Sequence, residues 1–117
     1  MAASHRDLVV WHKAMDVAVQ VYMLTDHFPR TEMYRLTSQL TRAAASVPAN
    51  IAEGNGRGSR RDYAHFLAIA KGSLNETETF PFLAIRLGYL HEQEAAPTLG
   101  LITEVGKMLT TLRARLV

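Results

Sequence analysis

From Leu8 to Leu116 the apolar residues of this chain recur at every third or fourth position, and nowhere do they alternate long enough to make a strand. That period belongs to amphipathic helices. Four such segments follow one another. The first carries two stripes: Leu8, Trp11, Met15, Ala18, Tyr22 and Thr25 on one, and Val10, Ala14, Val17, Val21 and Leu24 on the other. The second carries Leu36, Leu40, Ala43, Val47 and Ile51. The third runs through Tyr63, Phe66, Leu67, Ala70, Leu74 and Thr77 to Ala84, Leu87 and Leu90. The fourth has Leu101, Val105, Met108 and Leu112, with Ile102, Leu109 and Leu116 beside them.

Turn chemistry separates the segments. Ser4 stands three residues before Asp7 in a capping-box-like pair, and Phe28-Pro29 ends the first helix, with Thr31 placed to cap the second. Gly54-Asn55-Gly56-Arg57-Gly58 supplies the left-handed geometry of a helix end, and Ser59 caps the third helix with Asp62 three residues on. Pro81, between Phe80 and Phe82, predicts one long bent helix there. The last turn falls between Gly88 and Pro97. The spacing predicts helices over about 5–27, 31–55, 59–89 and 93–116 within a single domain, residues 1–117. Helices of this length joined by short turns pack antiparallel, so the expected fold is all-α, an up-down-up-down four-helix bundle.

Composition removes several function classes. With no cysteine the chain has neither disulfides nor thiolate metal sites, and a cytoplasmic setting suits it. No apolar run approaches the ~20 residues that cross a bilayer, and the N-terminus lacks a signal-peptide pattern, so no membrane partner is expected. A di-iron bundle needs Glu-x-x-His motifs, and this chain has none; Asp62-x-x-His65 is the nearest, at a helix start. The glycines at 54, 56 and 58 follow a helix and lack the Gly-Lys-Ser/Thr of a phosphate loop. No nucleophile has a base beside it in sequence. The chain therefore reads as a non-enzyme with no cofactor, metal or small-molecule substrate.

Charge is unevenly placed. The formal net charge is only +2, yet residues 30–61 hold Arg30, Arg35, Arg42, Arg57, Arg60 and Arg61 against Glu32 and Glu53. Arginine suits planar, bidentate partners such as phosphate. Arg57, Arg60 and Arg61 sit where the third helix begins, and with its amides and dipole they form a weak anion site. Arg42 and Arg35 come second as phosphate-binding residues. Solvated arginines at a turn are the alternative.

Helix two also carries a polar row, Gln39, Arg42, Ser46, Asn50, Glu53 and Arg57, at spacings of three and four. Asp62, His65, Ser73 and Glu76 on segment three offer a facing row. The two rows make a hydrogen-bonded network, with Asn50 and Glu53 as structural anchors, or else the row on helix two is that helix's solvent side. Pro48 and Asn50 favour the network, because neither suits an ordinary exposed helix interior.

Apolar surface exceeds what one bundle hides. Segment one is apolar on two faces, and segment three adds Ile69, Phe80, Phe82 and Leu83 outside its main stripe. Such surplus predicts a subunit interface, hence a homo-oligomer, unless the core face is simply broad.

These residues carry a resemblance over nearly the whole chain, from about Leu8 to Leu112. Its most specific block is Ser46-Val47-Pro48-Ala49-Asn50-Ile51-Ala52-Glu53-Gly54, joined by Val10-Trp11-His12-Lys13-Ala14, Arg42-Ala43-Ala44, Gly72-Ser73-Leu74 and Leu87-Gly88-Tyr89-Leu90. The chain resembles the bacterial four-helix-bundle family of proteins encoded within intervening sequences of 23S ribosomal RNA genes. That family is similar to the accessory variability determinant of diversity-generating retroelements. The resemblance implies a ring of bundles, with a pentamer expected. Its retroelement relatives imply a non-enzymatic partner of a reverse transcriptase that binds nucleic acid through a basic surface. Net charge here is lower than such a binder favours, and Pro81 is a departure from the family pattern. A scaffold for RNA or an RNA-handling protein is thus the leading expectation. A protein-interaction module without nucleic-acid affinity is the alternative.

Overall fold

The computed structural model describes residues 4–117; the first three residues of the expected domain lie outside them. Four helices follow in order: α1 (Val9–Thr25), α2 (Leu36–Gly56), α3 (Arg60–Arg86) and α4 (Glu92–Ala114). Among the described residues there is no strand. The helices form an antiparallel bundle of 43 × 25 × 20 Å. Neighbours around it are α1–α2, α2–α3, α3–α4 and α4–α1, with the closest backbone packing between α2 and α3.

The core is built from the predicted stripes. Val10, Ala14, Val17, Val21 and Leu24 turn inward from α1, and meet Leu40, Val47 and Ile51 of α2, Leu67, Ala70 and Leu74 of α3, and Ile102, Val105 and Leu109 of α4. Burying one such aliphatic side chain contributes roughly 1.5–3 kcal/mol. Polar contacts fix the register. Lys13 pairs with Glu104 at 2.7 Å, and Thr98 Oγ1 donates to Gln20 Oε1 at 2.8 Å, so α1 and α4 run in opposite directions. Among the described residues no helix is long and apolar enough to cross a membrane.

Three prolines stand inside helices, Pro97 near the start of α4 among them. Pro48 and Pro81 lie buried inside α2 and α3, and each helix is continuous through its proline. Gly54 shows why α2 and α3 approach so closely. A Cβ built there would stand 2.8 Å from Phe66 Cβ and 3.1 Å from Tyr63 Cδ1.

Three helix ends depart from expectation. The second helix begins at Leu36, not near 31, and Thr31 sits inside a 3-10 turn, Arg30–Glu32. The cause is tertiary. Glu32 is buried, accepts a hydrogen bond from the Tyr89 hydroxyl, and lies 3.4 Å from Arg35 Nε, which holds the chain off the helical path. At the N-terminus Ser4 caps a separate 3-10 turn, His5–Asp7, and extended Leu8 precedes α1. The third helix stops at Arg86, where Gly88 takes a positive φ of 82°. Ser59 caps α3 as predicted, its Oγ accepting from Asp62 N at 3.1 Å.

Candidate functional site

The α2–α3 seam holds a small polar set. Ser46 Oγ and Ser73 Oγ are 3.0 Å apart, and Asn50 Nδ2 donates to the Ser46 carbonyl at 2.8 Å and to its hydroxyl at 2.9 Å. Thr77 Oγ1 donates to the Ser73 carbonyl at 2.7 Å. The fold thus brings Ser46, Asn50 and Ser73 together across the seam. Glu53 turns instead to Arg57 on its own helix, at 3.7 Å. Gln39, Arg42 and Glu76 are exposed and outside this set; their helical positions lie past the seam, toward solvent. Asp62 is likewise exposed at the start of α3, and the His65 ring rests edge-on against Phe66 at 5.5 Å.

The predicted arginines divide between the two ends of the bundle. Arg57, Arg60 and Arg61 flank the α2–α3 turn. Arg35 precedes α2, whose 21 residues put it about 30 Å away. Arg35 is also tied to buried Glu32. Arg42 lies between, exposed on α2.

Antiparallel packing adds two residues at the α2–α3 end. Arg113 and Arg115 arrive from the last turns of α4. Arg113 Nε donates to the Ala64 carbonyl at 3.1 Å, and the Arg60 guanidinium donates to the Arg115 carbonyl. Arg60, Arg61, His65 and Arg113 line an open cleft of about 510 Å³. Arg57 lies 5.0 Å from the Phe66 ring centroid, a cation–π geometry, besides its contact with Glu53. Among the described residues, Arg60, Arg61, Arg113 and Arg115 have no carboxylate partner. Sequence reasoning missed Arg113 and Arg115 because positive and negative charges balance along the last segment. The signal available was topology, since the end of a fourth helix must lie beside the start of the third. The cleft concentrates guanidinium groups beside a helix N-terminus, an arrangement that attracts phosphate or carboxylate.

A second surface lies on α1. Met15, Val19, Tyr22 and Met23 share one face and are 40%, 58%, 55% and 64% exposed. Trp11 and Ala18 beside them are half-buried against the core. On α3, Ile69, Phe82 and Leu83 are exposed too, whereas Phe80 packs against the core. Among the described residues no group of three or more His, Asp or Glu side chains gathers as a metal site would require.

Two comparisons bear on this architecture. A crystal structure of a protein of unknown function from the S23 ribosomal protein family of Bacteroides thetaiotaomicron VPI-5482 is similar to the chain, with a TM-score of 0.80 and 29% sequence identity. The match covers 90% of this chain and 98% of that one. No curated protein matches the chain. The model of the 23S rRNA-intervening sequence protein family matches residues 6–111, a span that reaches into all four helices and includes the Ser46–Gly54 block at the α2–α3 seam. By that match, the chain belongs to the 23S rRNA-intervening sequence protein family.

Proposed function

We propose that the protein is a non-enzymatic, homo-oligomeric bundle that serves as a scaffold for RNA or for an RNA-handling protein such as a reverse transcriptase. The observation that carries this reading is the second face of α1. Met15, Val19, Tyr22 and Met23 stand in water on a lone copy, and a contiguous apolar surface of that kind marks an interaction site. A pentamer is the assembly the family resemblance leads us to expect. Repetition then supplies what a net charge of +2 does not. Each copy brings its own arginine-rich end, and several weak phosphate contacts combine by multivalency. The scaffold works in the cytoplasm, a setting its cysteine-free composition suits, and needs no cofactor, small-molecule substrate or membrane.

Size exclusion coupled to light scattering tests the assembly, and RNA retention measured across a salt series tests the partner. A mass of several copies together with salt-sensitive retention supports the reading. A single-copy mass at high micromolar concentration overturns it.

A second reading is a protein-interaction module without nucleic-acid affinity. It is favoured by the ion pairs of Arg35 with Glu32 and Arg57 with Glu53, which neutralise two of the five candidate arginines. An oligomer that leaves RNA unretained at low salt selects it.

A further inference from the structure

We propose that the exposed stripe of α1 in one copy seats in the seam between α3 and α4 of the next, so that assembly is a head-to-tail contact between two different faces of the same chain. The proposal rests on the homo-oligomeric reading above and names its two surfaces.

Like the α1–α4 side, the α3–α4 seam carries clefts. Two clefts of about 380 and 580 Å³ lie end to end along it and share Lys71 and Thr110. Small residues such as Ala68, Gly106 and Ala114 line the clefts, which leaves room for the side chains of a third helix. The rim is basic. Lys71 Nζ donates to Thr110 Oγ1 at 2.7 Å, and Arg113 Nε donates to the Ala64 carbonyl, both neutral oxygens. Neither of these two, nor exposed Lys107, has a carboxylate partner among the described residues. The Arg113–Ala64 bond marks one end of this stretch. The packing of Gly106 on Leu74 marks the other. None of the residues lining the two clefts is Phe, Tyr or Trp, so they lack the stacking platforms of a single-stranded nucleic-acid channel.

The stripe on α1 has the opposite character. Asp16, Val19, Met23 and Asp26 recur at spacings of three, four and three and so share a face with Met15 and Tyr22. Asp16 and Asp26 are exposed and have no cation partner among the described residues. Apolar side chains flanked by two unpaired carboxylates thus face, on the seam, small and apolar side chains beside unpaired Lys71 and Lys107, and the two surfaces are opposite in sign. Arg113, at the end of the seam, is left to the arginine cleft. A contact between unlike faces is heterologous, and its repetition closes into a ring or continues as a filament.

The test mixes two variants of the full chain. Val19→Lys/Met23→Lys disables the stripe, and Ala68→Trp/Thr110→Trp fills the seam without adding a charge that the lysines could pair with; all four positions are exposed, so the fold should tolerate the changes. Each variant alone is expected to have the mass of one copy, with an unchanged helical circular dichroism spectrum. An equimolar mixture is expected to have the mass of two, because one intact stripe then meets one intact seam and nothing remains to extend the chain. Assembly of either variant alone as in the wild type overturns the proposal, as does a mixture that stays at one copy. Should a variant fail to fold, charge exchange replaces it. Asp16→Lys/Asp26→Lys is expected to weaken assembly about tenfold or more, and adding Lys71→Glu/Lys107→Glu in the same chain to restore it; no restoration also overturns the proposal. A wild type that is itself a single copy removes the homo-oligomeric reading, whereas an oligomeric wild type with an indifferent seam removes only this pairing of faces.

Discussion

The Tyr89 hydroxyl donates to Glu32 Oε2 at 2.9 Å and so ties the connection between α1 and α2 to the turn between α3 and α4. Phe28 stands 5.9 Å from the Tyr89 ring, centroid to centroid, and Glu32 Oε1 receives the Leu36 amide at 3.5 Å, where α2 begins. One buried carboxylate thus positions a helix start and anchors a turn 57 residues away.

This bond makes stability depend on alkaline pH. The hydrogen bond to Glu32 raises the Tyr89 pKa above its ordinary 10.0, desolvation and the Glu32 charge add to the rise, and Arg35 opposes it. A folded pKa above the unfolded one means that the protonated phenol favours the fold. The contribution is whole below about pH 10 and is lost as pH rises through the folded value. Tyr89→Phe is expected to lower the melting temperature at pH 8, and its deficit relative to wild type to shrink above pH 10. A deficit that stays constant with pH would remove Tyr89 as the source.

Gly54→Ala is expected to destabilise the protein. Alanine is the better helix former by about 1 kcal/mol, but the new Cβ meets Phe66 Cβ at 2.8 Å and lies 3.3 Å from the Tyr63 carbonyl oxygen. Overpacking of this kind costs roughly 1–3 kcal/mol and here sets the sign. Gly72→Ala is the control, because a Cβ there meets nothing within 4 Å. It should stabilise α3 by about 0.5–1 kcal/mol. Urea unfolding of both variants reads the contrast.

Tyr63 is 1% exposed, and among the described residues its hydroxyl has no hydrogen-bond partner. Burial also raises its pKa. Tyr63→Phe removes an unsatisfied group and keeps the ring, so stability is expected to be unchanged or to rise by about 1 kcal/mol. A clear fall in the urea midpoint would point to a partner for that hydroxyl in solution.

Asn50→Ala removes both bonds to Ser46 beside the Ser46–Ser73 contact. The expected loss is about 1–2 kcal/mol, since Ser46 then forfeits a donor in a half-buried place. Gln39→Ala on the same helix should be silent within about 0.5 kcal/mol, because its side chain faces water. Equal effects of the two substitutions would dissolve the distinction between seam and solvent face.

The bundle was legible because period 3.6 survives folding. Val10, Ala14, Val17 and Val21 share a stripe in the sequence and are buried together in the core. Ser59 announced α3 because a cap is a local device. The start of α2 was illegible because Tyr89 decides it, through a bond that local chemistry does not contain. Thr31 after Pro29 looked like a cap, and tertiary structure made it part of a 3-10 turn. The basic end was half legible. Arg57, Arg60 and Arg61 adjoin in sequence. Arg113 and Arg115 share a segment with Glu92, Glu94 and Glu104, and the charges separate only when α4 lays its acidic start at one end of the bundle and its basic finish at the other.

That separation gives the arginines distinct expected effects on RNA. Arg60, Arg61 and Arg113 line one cleft and have no carboxylate partner among the described residues, whereas Arg35 lies at the far end and is held by Glu32. Each phosphate contact with a single strand contributes about 0.7 to the slope of log affinity against log salt. Arg60→Ala/Arg61→Ala/Arg113→Ala is therefore expected to lower the slope by about 2 for each cleft engaged, and to weaken binding similarly across RNA sequences. Arg35→Ala should leave the slope unchanged and lower only thermal stability. Fluorescence anisotropy with a labelled single-stranded RNA over a salt series measures both. An unchanged slope in the triple variant would take the cleft out of the binding surface, and a shallower slope in Arg35→Ala would move that surface to the other end of the bundle.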